Sequence, residues 1–198
     1  MKQQGRIILA SGSPRRKELL SDVAGLTIDI HVSHTDEEPH EPNPFKVPAA
    51  LSLQKMESVT QKLGAGFEGW LIAADTVVIH EGLILGKPSN MEESKQFLQK
   101  LSQATHHVVT SFRVMASHGT MIEQSIETRV TFRNLWPAEI ESYARSGEGL
   151  DKAGSYGIQG KAAGFVSKIE GSYTNVVGLP LAEVLTVLHH MGAISYES

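Results

Sequence analysis

Residues 70 to 75 read WLIAAD, five apolar residues running without interruption into a carboxylate. Such a run predicts a strand buried on both faces, and helices must then pack on each side of its sheet. The rest of the chain supplies them in alternation with further strands. Ile7 to Ala10 predicts a strand leading into a helix to about Val23, Leu26 to Val32 a second strand, and Ala49 to Leu63 a helix. Val77 to Ile79 and Leu83 to Leu85 flank His80-Glu81-Gly82 as a hairpin. Met91 to Leu101, Pro137 to Arg145 and Leu181 to Met191 carry helical spacing, while His107 to Ser117 and Ile122 to Arg133 alternate as two long strands around a turn at residues 118 to 120. The expected fold class is α/β, a mixed sheet flanked by helices, with residues 1 to 198 as one domain.

Composition narrows the function. A chain of 198 residues can bury about 70% of its unfolded surface in one core. Its net charge of -4, with both signs interspersed, argues against nucleic acid or an anionic membrane as partner. The absence of cysteine excludes disulfides, thiolate metal sites and a cysteine nucleophile. No apolar run reaches transmembrane length, so a soluble cytoplasmic protein is expected. ASGSP, residues 10 to 14, is not a hydrolase nucleophile elbow, and neither of the common glycine-rich phosphate loops is present. The nine histidines read as surface or packing residues.

Asp75 is expected at the C-terminal end of its strand, where open α/β sheets place ligand-contacting groups, and reads as a metal ligand or a base that activates water. Asp36, Glu37 and Glu38 form a second acidic locus on a proline-punctuated loop; alone they read as a solvated loop. Two acidic loci without cysteine suit Mg²⁺ or Mn²⁺ better than zinc. Ser13 reads as a helix N-cap followed by proline at the first helical position. Arg15, Arg16 and Lys17 then crowd cations at a helix end that disfavours them, an arrangement a bound phosphate would relieve. Lys87, in LGKP, reads equally as a cleft or a surface lysine, and Lys55 as an exposed helix lysine. In DKAGSYGIQG, residues 151 to 160, three glycines surround Lys152, Tyr156 and Gln159, and the Gln159 amide suits the edge of a base.

The strings LASGSPRRKELL, AADTVV, ILGKP, DKAGSYGIQG and GSYTNVVGLPL stand in an order and spacing that resemble the Maf family of nucleotide pyrophosphatases, from Ile8 to about Leu188. The resemblance implies an elongated α/β fold with a deep cleft, similar to inosine-triphosphate pyrophosphatases. It implies a divalent-cation-dependent hydrolysis of nucleoside triphosphates to the monophosphate and pyrophosphate. By the same resemblance Asp75 is the proton acceptor, Arg15, Arg16, Lys55 and Lys87 join Ser13 in binding phosphates, and Glu37 joins Asp75 at the metal. Whether Asp75 is base or metal ligand stays open. GIQG after the tyrosine and threonine after the aspartate resemble the branch acting on dTTP and UTP, with Arg15, Thr76 and Gln159 setting specificity. A homodimer is plausible on the same ground. Alternatives are a 7-methyl-GTP pyrophosphatase and a nucleotide-sensing regulator without catalysis; an association of the family's name with septum inhibition adds an interaction role in cell division.

Overall fold

The computed structural model describes residues 1–33, 41–64 and 66–196. In chain order its elements are β1 (Lys2–Gln3), β2 (Ile7–Leu9), α1 (Pro14–Glu18) continued by a π turn (Leu19–Val23), β3 (Ile28–Ile30), α2 (Val47–Leu63), β4 (Trp70–His80), β5 (Leu83–Leu85), α3 (Met91–Leu101), β6 (Thr105–Ala116), β7 (Met121–Phe132), α4 (Pro137–Arg145), β8 (Val166–Glu170), α5 (Tyr173–Val177), α6 (Leu181–His190) and β9 (Ile194–Ser195). Among the described residues no helix is long and apolar enough to cross a membrane.

Seven strands form one mixed sheet in the order β3-β2-β4-β6-β7-β8, with β5 also paired to β4. β2 runs parallel to β3 and β4; the other pairs are antiparallel. One edge of β4 is paired to β6 from Trp70 to Ile79. The other is shared by two short strands, β2 against Trp70 to Ile72 and β5 against Val78 to His80. The five residues between them, Ala73 to Val77, meet no strand on that edge among the described residues.

Strand alternation divides the core into two layers. Leu71, Ala73, Val77 and Ile79 point to the face covered by α2, meeting Met56, Val59, Val47 and Leu51. Ile72, Ala74 and Val78 point to the larger core, which gathers Leu98 and Leu101 of α3, Ile140 and Tyr143 of α4, and Val184, Val187 and Leu188 of α6. The second layer is the larger and also takes Val177 of α5.

Several boundaries differ from expectation. The two runs Trp70 to Asp75 and Val77 to Ile79 are a single eleven-residue strand, so Asp75 lies mid-strand and not at its C-terminal end. Thr76 interrupts the apolar run but keeps the strand because β-branched residues suit the pleat. The second strand is shorter than Leu26 to Val32, and α2 begins two residues early, with Pro48 in its first turn where a missing N–H is harmless. Among elements the periodicity did not predict are β8, α5 and the β1–β9 pair.

Candidate active site

The gap in the β4 edge opens into a cleft of about 610 Å³, within the range of small-molecule sites. Ser13, Arg15, Arg16, Lys55, Asp75, Thr76, Lys87 and Gln159 all line it. Glu37, with Asp36 and Glu38, lies outside the described residues.

Asp75 and Thr76 are neighbours on β4 and therefore face opposite sides of the sheet. Asp75, 6% exposed, points toward α2 and forms an ion pair with Lys55 Nζ. Lys55 is 8% exposed, which overturns the expectation of a solvated helix lysine. The signal was the spacing of four in Val47, Leu51, Lys55 and Val59: these positions form one stripe, and the lysine occupies its centre. A buried charge in such a stripe must be answered, and Asp75 answers it.

Thr76, on the other face, accepts a hydrogen bond from Arg16 Nη2 at 3.1 Å and lies 2.8 Å from Thr110 Oγ1. Arg16 is 8% exposed and also donates to Gly178 O at 2.8 Å and to Ser11 Oγ at 3.0 Å. Arg15 turns the other way, 3.6 Å from Asp151 Oδ2. Arg15 and Arg16 thus point apart, each toward a partner within the protein. Ser13 stands at the N-cap position, but its side chain caps nothing, and its N–H bonds to Ser11 Oγ at 3.2 Å.

Lys87 is exposed at the cleft rim, beyond β5. The segment from Asp151 to Gly160 forms the facing wall. Burial opposes ionisation of Asp151, but Lys152 and then Arg15 outweigh it and hold its carboxyl below the usual range. Gly154 adopts φ +67°, and a Cβ there would approach Val78 to 2.9 Å, so the wall packs on β4 only with glycine. Tyr156 is a core residue whose hydroxyl meets His106 Nε2 at 2.7 Å, and Gln159 is exposed to the cleft. Ser11, Asp151 and Gly178 also line the cleft; sequence reasoning assigned them no role, although each lies inside one of the strings that carry the family resemblance.

Two carboxylates among the described residues line the cleft, Asp75 and Asp151. Mg²⁺ is commonly held by one or two carboxylates together with substrate phosphates and water. Asp75 is already paired with Lys55, and Asp151 is engaged by Arg15 and Lys152. Among the described residues no group of three or more His, Cys, Asp or Glu could hold a metal alone.

These features define an α/β protein with a polar, cation-lined cleft at a break in a sheet edge. The same fold occurs in the Ham1 protein of Staphylococcus aureus, with a TM-score of 0.52 at 11% identity over 95% of this chain and 100% of that one. A HAM1 protein from Coxiella burnetii gives 0.50 at 14% identity over 94% and 100%. The chain belongs to the Maf family, whose model, described as Maf-like protein, matches residues 6–191. Relatives named dTTP/UTP pyrophosphatase include that of Geobacter metallireducens, 42% identical over 98% of this chain and 100% of the relative, and that of Geotalea uraniireducens, 45% identical over 98% and 99%. That of Bacillus cereus is 45% identical over 92% and 94%.

Proposed function

We propose that this protein hydrolyses dTTP and UTP to the nucleoside monophosphate and pyrophosphate. The observation that carries the proposal is the buried Lys55–Asp75 pair set at the open stretch of β4, in a cleft rimmed by Arg15, Lys87 and Gln159. The family and the names of the relatives support it.

The triphosphate lies between Arg15 and Lys87, whose charges offset its own, and Lys55 faces the reacting phosphate from the floor. Asp75 would hold Mg²⁺ or Mn²⁺, with Glu37 as a second candidate. Such a cation, when bound, neutralises phosphate charge and acidifies water. Asp75 orients a water toward the α-phosphorus, either as the base that receives its proton or as the ligand of the cation that would acidify it. The water oxygen forms the new P–O bond while the bond to the α,β-bridging oxygen breaks, and pyrophosphate leaves with that electron pair. Arg16 is a holder of Thr76 and the Gly178 carbonyl, shaping the cleft from behind. Gln159 matches the carbonyl-imide-carbonyl edge of thymine or uracil with its amide.

The test is pyrophosphate release from dTTP, UTP, CTP, ATP and 7-methyl-GTP, with and without Mg²⁺, for wild type and Asp75→Asn. Turnover of dTTP and UTP that falls by about 10² to 10⁴ in the variant is expected. Preference for 7-methyl-GTP would overturn the base assignment, and nucleotide binding without hydrolysis would make the protein a sensor.

A further inference from the structure

The turn that carries Gln159 is held at both ends by a side-chain pair that the phosphate chemistry does not use. Tyr143 of α4, 3% exposed, accepts the Gly157 N–H at 3.3 Å and donates to Glu148 Oε1 at 3.2 Å. The same Oε1 accepts the Lys161 N–H at 2.9 Å. The turn closes on itself through Gly160 N–H to Gly157 O at 3.0 Å. Gly160 fits because it has no side chain, since a Cβ there would run into the Glu148 carboxylate. On the other side a Cβ at Gly157 would come within 2.7 Å of Lys152 Cε. The Lys152 ammonium in turn donates to the Glu148 carbonyl and, at 2.6 Å, to Asp151 Oδ1. Burial first, and then the adjacent Glu148 charge, raise the Tyr143 pKa, so its hydroxyl stays a neutral donor.

Gln159 itself is exposed, and an exposed amide on a flexible stem reads a base poorly unless its backbone is fixed to about 0.5 Å. We infer that Tyr143 and Glu148 are positioning residues for base selection: clamping Gly157 and Lys161, they set where the Gln159 amide meets the base and so determine the preference for an imide edge. This rests on the assignment of Gln159 made above. Neither residue lines the cleft, so their influence passes through the turn.

The experiment compares kcat and KM for dTTP and CTP in wild type, Tyr143→Phe, Glu148→Ala, Glu148→Gln, Gln159→Ala and the Tyr143→Phe/Gln159→Ala double variant, with thermal unfolding to establish that each is folded. Gln159→Ala is expected to lower the dTTP to CTP ratio of kcat/KM by about tenfold or more. Tyr143→Phe and Glu148→Ala are expected to lower it by about three- to tenfold, chiefly through a higher KM for dTTP. Glu148→Gln, which keeps an oxygen for the Lys161 N–H, restores most of the ratio. Tyr143→Phe then adds nothing in the Gln159→Ala background, whereas a general loss of structure would add its full effect. An unchanged ratio in Tyr143→Phe and Glu148→Ala, with a lowered one in Gln159→Ala, overturns the clamp and leaves the base assignment intact. So does a multiplied loss in the double variant. An unchanged ratio in Gln159→Ala overturns the base assignment, and the clamp with it.

Discussion

Lys55 and Asp75 meet between α2 and β4 at the floor of the cleft, each less than a tenth exposed. Two opposite charges in such a place attract strongly, but both have lost most of their water, and the balance depends on each keeping the other. Lys55→Met takes the ammonium away from a carboxylate that is 6% exposed and is expected to cost about 3–5 kcal/mol in urea unfolding. Adding Asp75→Asn to that variant removes the charge as well and is expected to recover at least half of the loss. A double variant no more stable than Lys55→Met would show that charge is not what the pair contributes. Both variants are expected to be inactive, since the same two groups face the reacting phosphate in the proposed mechanism.

Among the elements, β6 and β7 are joined to the cleft wall by a cluster of rings. His106 of β6 packs edge-on against Phe132 of β7 at 5.0 Å and against Tyr156 at 5.4 Å. Burial, and then the neighbouring His80 and His107, lower the His106 pKa from 6.5 to about 3, so folding holds the ring neutral. Above pH 6.5 both folded and unfolded chains carry it neutral. Between pH 6.5 and about 3 the unfolded chain binds a proton that the folded one refuses, so stability falls as pH falls, by up to about 1.4 kcal/mol per unit. Glu139 and Glu141, lowered from 4.5 by hydrogen bonds from Arg133 and Lys95 respectively, contribute stability that is full above 4.5 and is lost below it. The window from pH 6.5 to 5 therefore isolates the histidine from those two carboxylates. Unfolding midpoints of His106→Gln are expected to decline less than those of wild type across that window. Parallel declines would assign the acid sensitivity to other groups.

For the molecule as a whole, a chain of net charge -4 presents a cleft lined by Arg15, Arg16, Lys55, Lys87 and Lys152. Cations concentrated against the overall charge attract a polyanion at short range, and exposed members such as Lys87 are readily screened. A non-hydrolysable dTTP analogue at about one hundred times its Kd is expected to contribute about 2.7 kcal/mol, which for a chain of this size raises Tm by roughly 5–10 °C. Repeated in 1 M salt at the same analogue concentration, the rise is expected to shrink by half or more, because the Debye length falls to about 3 Å. A shift insensitive to salt, or equal for dTTP and CTP analogues, would count against phosphate recognition by the rim or base recognition by Gln159 respectively.

The α/β class, the long β6–β7 pair, the β4–β5 hairpin and most helices were legible in the sequence, because hydrophobic period is a local property. The family strings singled out Arg15, Arg16, Asp75, Thr76, Lys87 and Gln159 before any geometry was known, and the resemblance they carry added Lys55; all seven line the cleft. β8 and α5 escaped the periodicity because they are five residues each, too short for a period to register. What the sequence left open was decided by contacts distant along the chain. That Lys55 is buried follows from the partner twenty residues away. That Arg16 holds Gly178 follows from a hydrogen bond spanning 162 positions. Among the described residues the edge at Asp75 is unpaired because β2 and β5 each stop short of the middle of β4. Local pattern determines which face of an element is apolar; only the packed sheet determines which charges are enclosed with one another and where its edge is left open.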